Sequence, residues 1–167
     1  MGFKKTSETI AISFGVTESA LNTFTQGEVA LQLDILNNEI FVVLAVDLDN
    51  QVPDCVAGTS TSVSSSICST SQTAVQRLDN TNCIATAQLA IQADVPTNGV
   101  AFARGALESY QGDVSYIALI ATNNFFCQVA GFGNLGAKSV SGRVWGYRAK
   151  ADSATYAALV QSEVLSA

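Results

Sequence analysis

Ile10, Ile12, Phe14 and Val16 alternate with Thr9, Ala11, Ser13 and Gly15, a period of two that predicts a strand with one buried face. The pattern recurs where Val29, Leu31, Leu33 and Ile35 point one way and Glu28, Gln32 and Asp34 the other. Asn37-Asn38 follows, and then the unbroken apolar run of residues 40–46. Asparagine tolerates positive φ, so residues 29–49 read as one long hairpin turning at the Asn pair. The second strand of that hairpin is apolar on both faces, which places it in the middle of a sheet covered on both sides. Pro53 ends it, because proline cannot donate to a ladder.

Residues 58–73 (GTSTSVSSSICSTSQT) form a Ser/Thr tract that reads as a solvated loop or an edge strand, with a helical turn over residues 71–78. Residues 84–93 alternate again and predict a half-buried strand, and Pro96-Thr97-Asn98-Gly99 is a turn signal. A second hairpin is expected from residues 114–121 and 125–132 around Thr122-Asn123-Asn124. Residues 139–149 alternate glycines with Trp145 and Tyr147, a pattern that calls for close approach of another backbone or an aromatic laid over a bare patch. Asp152 or Ser153 caps a helix over about 153–165, with Tyr156, Leu159, Val160 and Val164 near one face. The sum is a mainly β chain of seven to nine strands. It forms an antiparallel β-sandwich or flattened barrel with a C-terminal α-helix. No linker or repeat divides it, so residues 1–167 read as a single β-rich domain with a short N-terminal arm at 1–7.

Composition changes the picture in two ways. The 167 residues include no histidine, which removes Ser-His and Cys-His nucleophiles and His-containing zinc sites within one subunit. Apolar residues reach 48% while only 13% are charged, more apolar than a lone soluble chain of this size can expose without associating. No apolar run approaches the roughly 18 to 20 residues of a spanning helix, so burial against neighbouring subunits is expected in place of a membrane. A net charge of −6 argues against general nucleic-acid binding. Lys138, Arg143, Arg148 and Lys150 cluster nonetheless, reading as a solvated or subunit-facing strand, with phosphate binding as the minority alternative.

Candidate chemistry is thin. Asp47, Asp49 and Asp54 crowd the end of the central strand and are weak candidates for a loop-borne calcium site; strand-ending charged gatekeepers are the simpler reading. No cofactor fingerprint or nucleophile elbow occurs, and a Ser-Lys dyad of Lys138 with Ser139 or Ser141 lacks the spacing to converge. Among four cysteines, Cys127 reads as a small buried hydrophobe, and one pair of Cys55, Cys68 and Cys83 is a candidate bridge. No catalytic residue, cofactor or resident metal is expected. Phe3, Trp145, Tyr147, Tyr156, Leu159 and Val160 are the candidate interface residues, with each aromatic's own subunit core as the alternative.

From Thr122 onward the chain (TNNFFCQVAGFGNLGAKSVSGRVWGYRAKADSATYAALVQSE) resembles small structural proteins of tailed and marine viruses. What carries the likeness is an acidic, charge-poor character rich in Ser, Thr and Ala. The resemblance implies a β-rich capsid or capsid-decoration (cement) protein without catalysis, in a virion assembled in the host cytoplasm. Its partners would be copies of itself in a homo-oligomer and a major capsid protein, with neither nucleic acid nor membrane. The alternative is a β-sandwich binding module for carbohydrate or a receptor, marked by an exposed aromatic patch or calcium dependence.

Overall fold

The alternating segments pair into two five-stranded antiparallel sheets in a computed structural model that describes residues 2–94, 98–102 and 114–166. The strands are β1 (Phe3–Lys5), β2 (Ile10–Thr17), β3 (Thr25–Ala30), β4 (Glu39–Asn50), β5 (Thr61–Cys68), β6 (Cys83–Asp94), β7 (Asn98–Phe102), β8 (Ala118–Ile120), β9 (Asn124–Phe132) and β10 (Ser139–Ala151). A helix, α1 (Ser153–Ser166), follows. In the first sheet β10 takes β1 and β2 along one edge and β4 along the other, and β8 lies beyond β4. The second sheet runs β3-β9-β5-β6-β7. The chain therefore changes sheet between β2 and β3, β3 and β4, β4 and β5, β7 and β8, β8 and β9, and β9 and β10. That connectivity is a double-sheet jelly roll, with β1 and β7 added to its eight strands.

β4 shows why its sequence is apolar throughout. Phe41, Val43, Val46 and Leu48 enter the core between the sheets, while Ile40 and Val42 belong to a second cluster under α1. The inward residues change from odd to even numbers because the pairing with β10 shifts at Trp145/Gly146, leaving Leu44 as the extra residue of a bulge. The alternating face of β10 is equally specific. A Cβ at Gly142 would sit 2.5 Å from the Phe14 ring, and one at Gly146 would meet the Val42 carbonyl and, at 2.6 Å, the Phe41 ring. Both reasons expected for glycine in this strand are present.

Two expected hairpins are not hairpins. β3 pairs with β9 while β4 pairs with β10 and β8, so residues 29–49 cross from one sheet to the other. β8 likewise joins β4, and β9 joins β3 and β5. Asn38 does take the left-handed conformation (φ 55°), but after a 3₁₀ turn at Ile35–Asn37 that redirects the chain. The two corners then dock: Leu31 N–H donates to the Asn123 carbonyl at 2.9 Å and Leu33 N–H to Asn123 Oδ1 at 2.5 Å. Turn chemistry is local, and the choice of pairing partner is not.

The Ser/Thr tract is the larger correction. β5 is neither loop nor edge but an interior strand between β9 and β6, with Ser65 and Ser66 fully buried. Burial is tolerable because each hydroxyl has a partner: Ser65 Oγ donates to Asn50 Oδ1 at 2.5 Å and Ser66 Oγ to Gln128 Oε1 at 2.7 Å. The segment after it, residues 69–82, folds back through turns and bends, with no helix over 71–78. Of the expected turn at Pro96-Thr97-Asn98-Gly99, the first two residues lie outside the described residues.

Candidate functional site

Three surfaces gather the residues in question. The first is the outer face of the first sheet. Asp152 caps α1, accepting the Thr155 N–H at 2.7 Å, and that bond holds its carboxyl below the usual range. The helix then lays Tyr156, Leu159 and Val160 against Ile40, Val42, Ala121, Ala149 and Ala151. Phe3 and Tyr147 join this cluster, with Phe3 edge-on to Tyr116 at 5.8 Å and Lys5 Nζ 5.0 Å from the Tyr147 ring. Five of the six candidate interface residues thus have apolar partners inside the chain. Val164, expected on the same face, is exposed, and Glu163 takes the buried place instead. It is 7% exposed and accepts the Ala121 N–H at 2.9 Å; burial pushes its carboxyl above the ordinary glutamate range.

Trp145, the sixth, lines a shallow depression of 340 Å³ with Asp47, Asp49, Arg143, Ser13 and Ser141. Arg143 lies 5.9 Å from the Trp145 ring and donates to Ser13 Oγ at 3.1 Å. Asp47 and Asp49 stand on the exposed side of β4, opposite Arg143 and Ser141. Asp54 is not with them: it lies in the β4–β5 connection, bound to Lys138. Among the described residues no group of three His, Cys, Asp or Glu side chains converges on a metal-sized space. The basic cluster is similarly dispersed. Lys138 Nζ lies 2.7 Å from Asp54 rather than at Ser139 or Ser141, and Arg148 donates to the Leu31 carbonyl at 2.9 Å.

The third surface was not visible in the pattern of the chain. At one end of the roll, the β2–β3, β4–β5 and β9–β10 loops are tied by a polar knot. Asn22 and Asn134 exchange two hydrogen bonds, Nδ2 of Asn22 to the Asn134 carbonyl at 3.1 Å and Asn134 N–H to Asn22 Oδ1 at 3.0 Å. Asp54 accepts Lys138 Nζ and, at 2.9 Å, the Leu135 N–H, and these donors hold its carboxyl below the usual range. Buried Glu18 accepts the backbone N–H groups of Gly131 and, at 2.9 Å, Lys138. Around the knot the loops expose Leu21, Val52 (66%) and Leu135 (74%), and Phe132 is exposed where β9 ends.

The sequence matches no family model, and no curated protein matches it. The fold has neighbours. Merkel cell polyomavirus VP1, in complex with GD1a oligosaccharide, superposes with a TM-score of 0.52 at 6% identity, over 91% of this chain and 100% of that one. The fold resembles that of viral capsid proteins. Lower similarity extends to the unassembled pentamer of the same VP1 (TM-score 0.42, 7% identity, 90% of this chain and 98% of that chain). Desmodium yellow mottle tymovirus follows at 0.31 and 14% identity, over 87% and 91%. At such identities what is shared is the fold.

Proposed function

We propose that the chain is a non-enzymatic structural subunit of a virion, a capsid or capsid-decoration protein that acts by contact with copies of itself and with a major capsid protein. The observation that carries this reading is the jelly-roll connectivity, matched to polyomavirus VP1 along nearly the whole of both chains. The charge-poor, apolar composition supports it, because such a surface gains from burial against a neighbour. The knotted loop end supports it further. Its carboxylates are occupied within the chain, which leaves apolar tips as the outward chemistry. Assembly would place the chain in the virion, built in the host cytoplasm.

Size-exclusion chromatography with light scattering on the full chain tests this. A discrete oligomer is expected, and Leu21→Ser/Val52→Ser/Leu135→Ser should shift it toward monomer while the far-UV circular dichroism stays native, since all three side chains are exposed on the single chain. A triple variant that assembles as the parent does would remove the loop end from the account.

A further inference from the structure

We infer that Cys68 and Cys83 are the two halves of an intrachain disulfide site that closes residues 69–82 over the second sheet. This inference is independent of the proposed function. The register of β5 with β6 shifts at Ile67/Cys68, skipping Ile84 and setting Cys68 directly across from Cys83. The adjoining rung is bonded, Ser69 N–H donating to the Asn82 carbonyl at 3.0 Å, while the Cys83 N–H goes to the Asn80 carbonyl at 3.1 Å. The cysteines therefore occupy the non-hydrogen-bonded type of antiparallel pair. Cα atoms of such a pair are about 4.5 Å apart, within the roughly 4.4–6.8 Å that a disulfide spans. The two thiols are near enough to shift one another's ionisation, and the Cys83 thiol donates to the Ala85 carbonyl at 3.5 Å. The other two cysteines are placed differently: Cys55 is exposed in the β4–β5 connection, and Cys127 is buried within β9.

The two thiols are unequal in a way that orders the chemistry. Cys68 is fully buried and Cys83 only half-buried, so Cys83 is the one a solute can reach. The neighbouring Cys68 thiol lowers the Cys83 pKa, against burial and the nearby Asp79 carboxylate, and the same pairing raises that of Cys68. With a small-molecule disulfide such as oxidised glutathione as oxidant, the Cys83 thiolate attacks one of its sulfurs and expels one glutathione thiolate. Cys68 then loses its proton and attacks the Cys83 sulfur of the mixed disulfide, expelling the second. Two protein thiols become one disulfide, oxidised glutathione becomes two reduced molecules, and the two protons end on them. The closed segment is otherwise fastened to the sheet by Gln26 Nε2 to Ser71 Oγ and Gln72 N–H to Gln26 Oε1, both 2.8 Å, and by Gln76 N–H to Ser66 Oγ at 3.1 Å.

The test is to incubate the reduced full-length chain with oxidised glutathione at mildly alkaline pH, alkylate it after denaturation, and map peptides by mass spectrometry. The expected result is one linked peptide pair joining Cys68 to Cys83, lighter by two hydrogens than the separate peptides, with Cys127 alkylated and the exposed Cys55 carrying glutathione or an alkyl group. Closing a loop of this length should raise Tm by roughly 6 to 12 °C over the reduced chain. Cys127→Ser should keep both effects, and Cys68→Ser or Cys83→Ser should lose both. Four alkylated cysteines, a terminal mixed disulfide on Cys83, or a bridge to Cys55 or Cys127 would each overturn the assignment.

Discussion

Both sheets have a covered outer face, and the two covers are made of opposite chemistry. Over the first sheet, α1 lays Tyr156, Leu159 and Val160 on Ile40, Val42, Ala149 and Ala151. Over the second, the β5–β6 connection holds Ser66, Gln128 and Gln26 through Ser71, Gln72 and Gln76, a ladder of side-chain hydrogen bonds. Apolar contact is non-directional, so the helix can cover its sheet with whatever side chains fill the space. A buried amide or hydroxyl is tolerated only with its partners in place, so the polar cover holds in one arrangement and fails sharply when a member is removed. Similar burial is reached by two routes, one tolerant and one exacting.

Removing the largest support of the apolar cover should cost most. Ile40→Ala, at a fully buried position beneath α1, is expected to destabilise the chain by about 2–5 kcal/mol in denaturant titration. A cost well under that would mean the helix is not a packed cover. In the polar cover, Ser66→Ala takes the hydroxyl donor from Gln128 Oε1 and the acceptor from the Gln76 N–H, for about 1–3 kcal/mol. Adding Gln128→Leu should recover part of that loss, because an apolar pair leaves less polar surface unmatched; a double variant that is simply the sum of both losses would contradict the ladder.

The smallest effect is a dependence on pH. The folded pKa of Glu163 is raised by burial, so its stabilising contribution is full below the ordinary glutamate range and is lost as pH rises through the raised value. Glu163→Gln stays neutral and keeps an oxygen for the Ala121 N–H. It should match the parent in acid and melt a few degrees higher at neutral pH. Asp54 has the opposite sign: its pKa is lowered by Lys138 and the Leu135 N–H, so its contribution is present at neutral pH and lost on acidification. Melting curves of Glu163→Gln across pH separate the two carboxylates, and a variant less stable than the parent at neutral pH would show that the Glu163 charge is a net support.

The apolar half of this arrangement was readable from the chain. The strand positions of β2, β4, β6 and β10, the glycines of β10, the Asp152 cap and the helix itself all follow from local periodicity, and the antiparallel sandwich with a C-terminal helix follows from them. What could not be read depends on partners distant in sequence. Ser65 and Ser66 look solvated until Asn50 and Gln128 are brought to them across 15 and 62 residues. Asn22 and Asn134 look like ordinary loop residues, and Asp54 like a companion of Asp47 and Asp49, until three loops converge. The two Asn-rich corners carry good turn residues, but nothing local distinguishes a hairpin from a crossing between sheets.

Light scattering on the purified full-length chain, across a wide concentration range, tests self-association most directly. A capsid-like subunit is expected to give a defined multiple of 17.4 kDa and to lose it when Leu21, Val52 and Leu135 become serine. A particle of 17.4 kDa at every concentration would contradict the account.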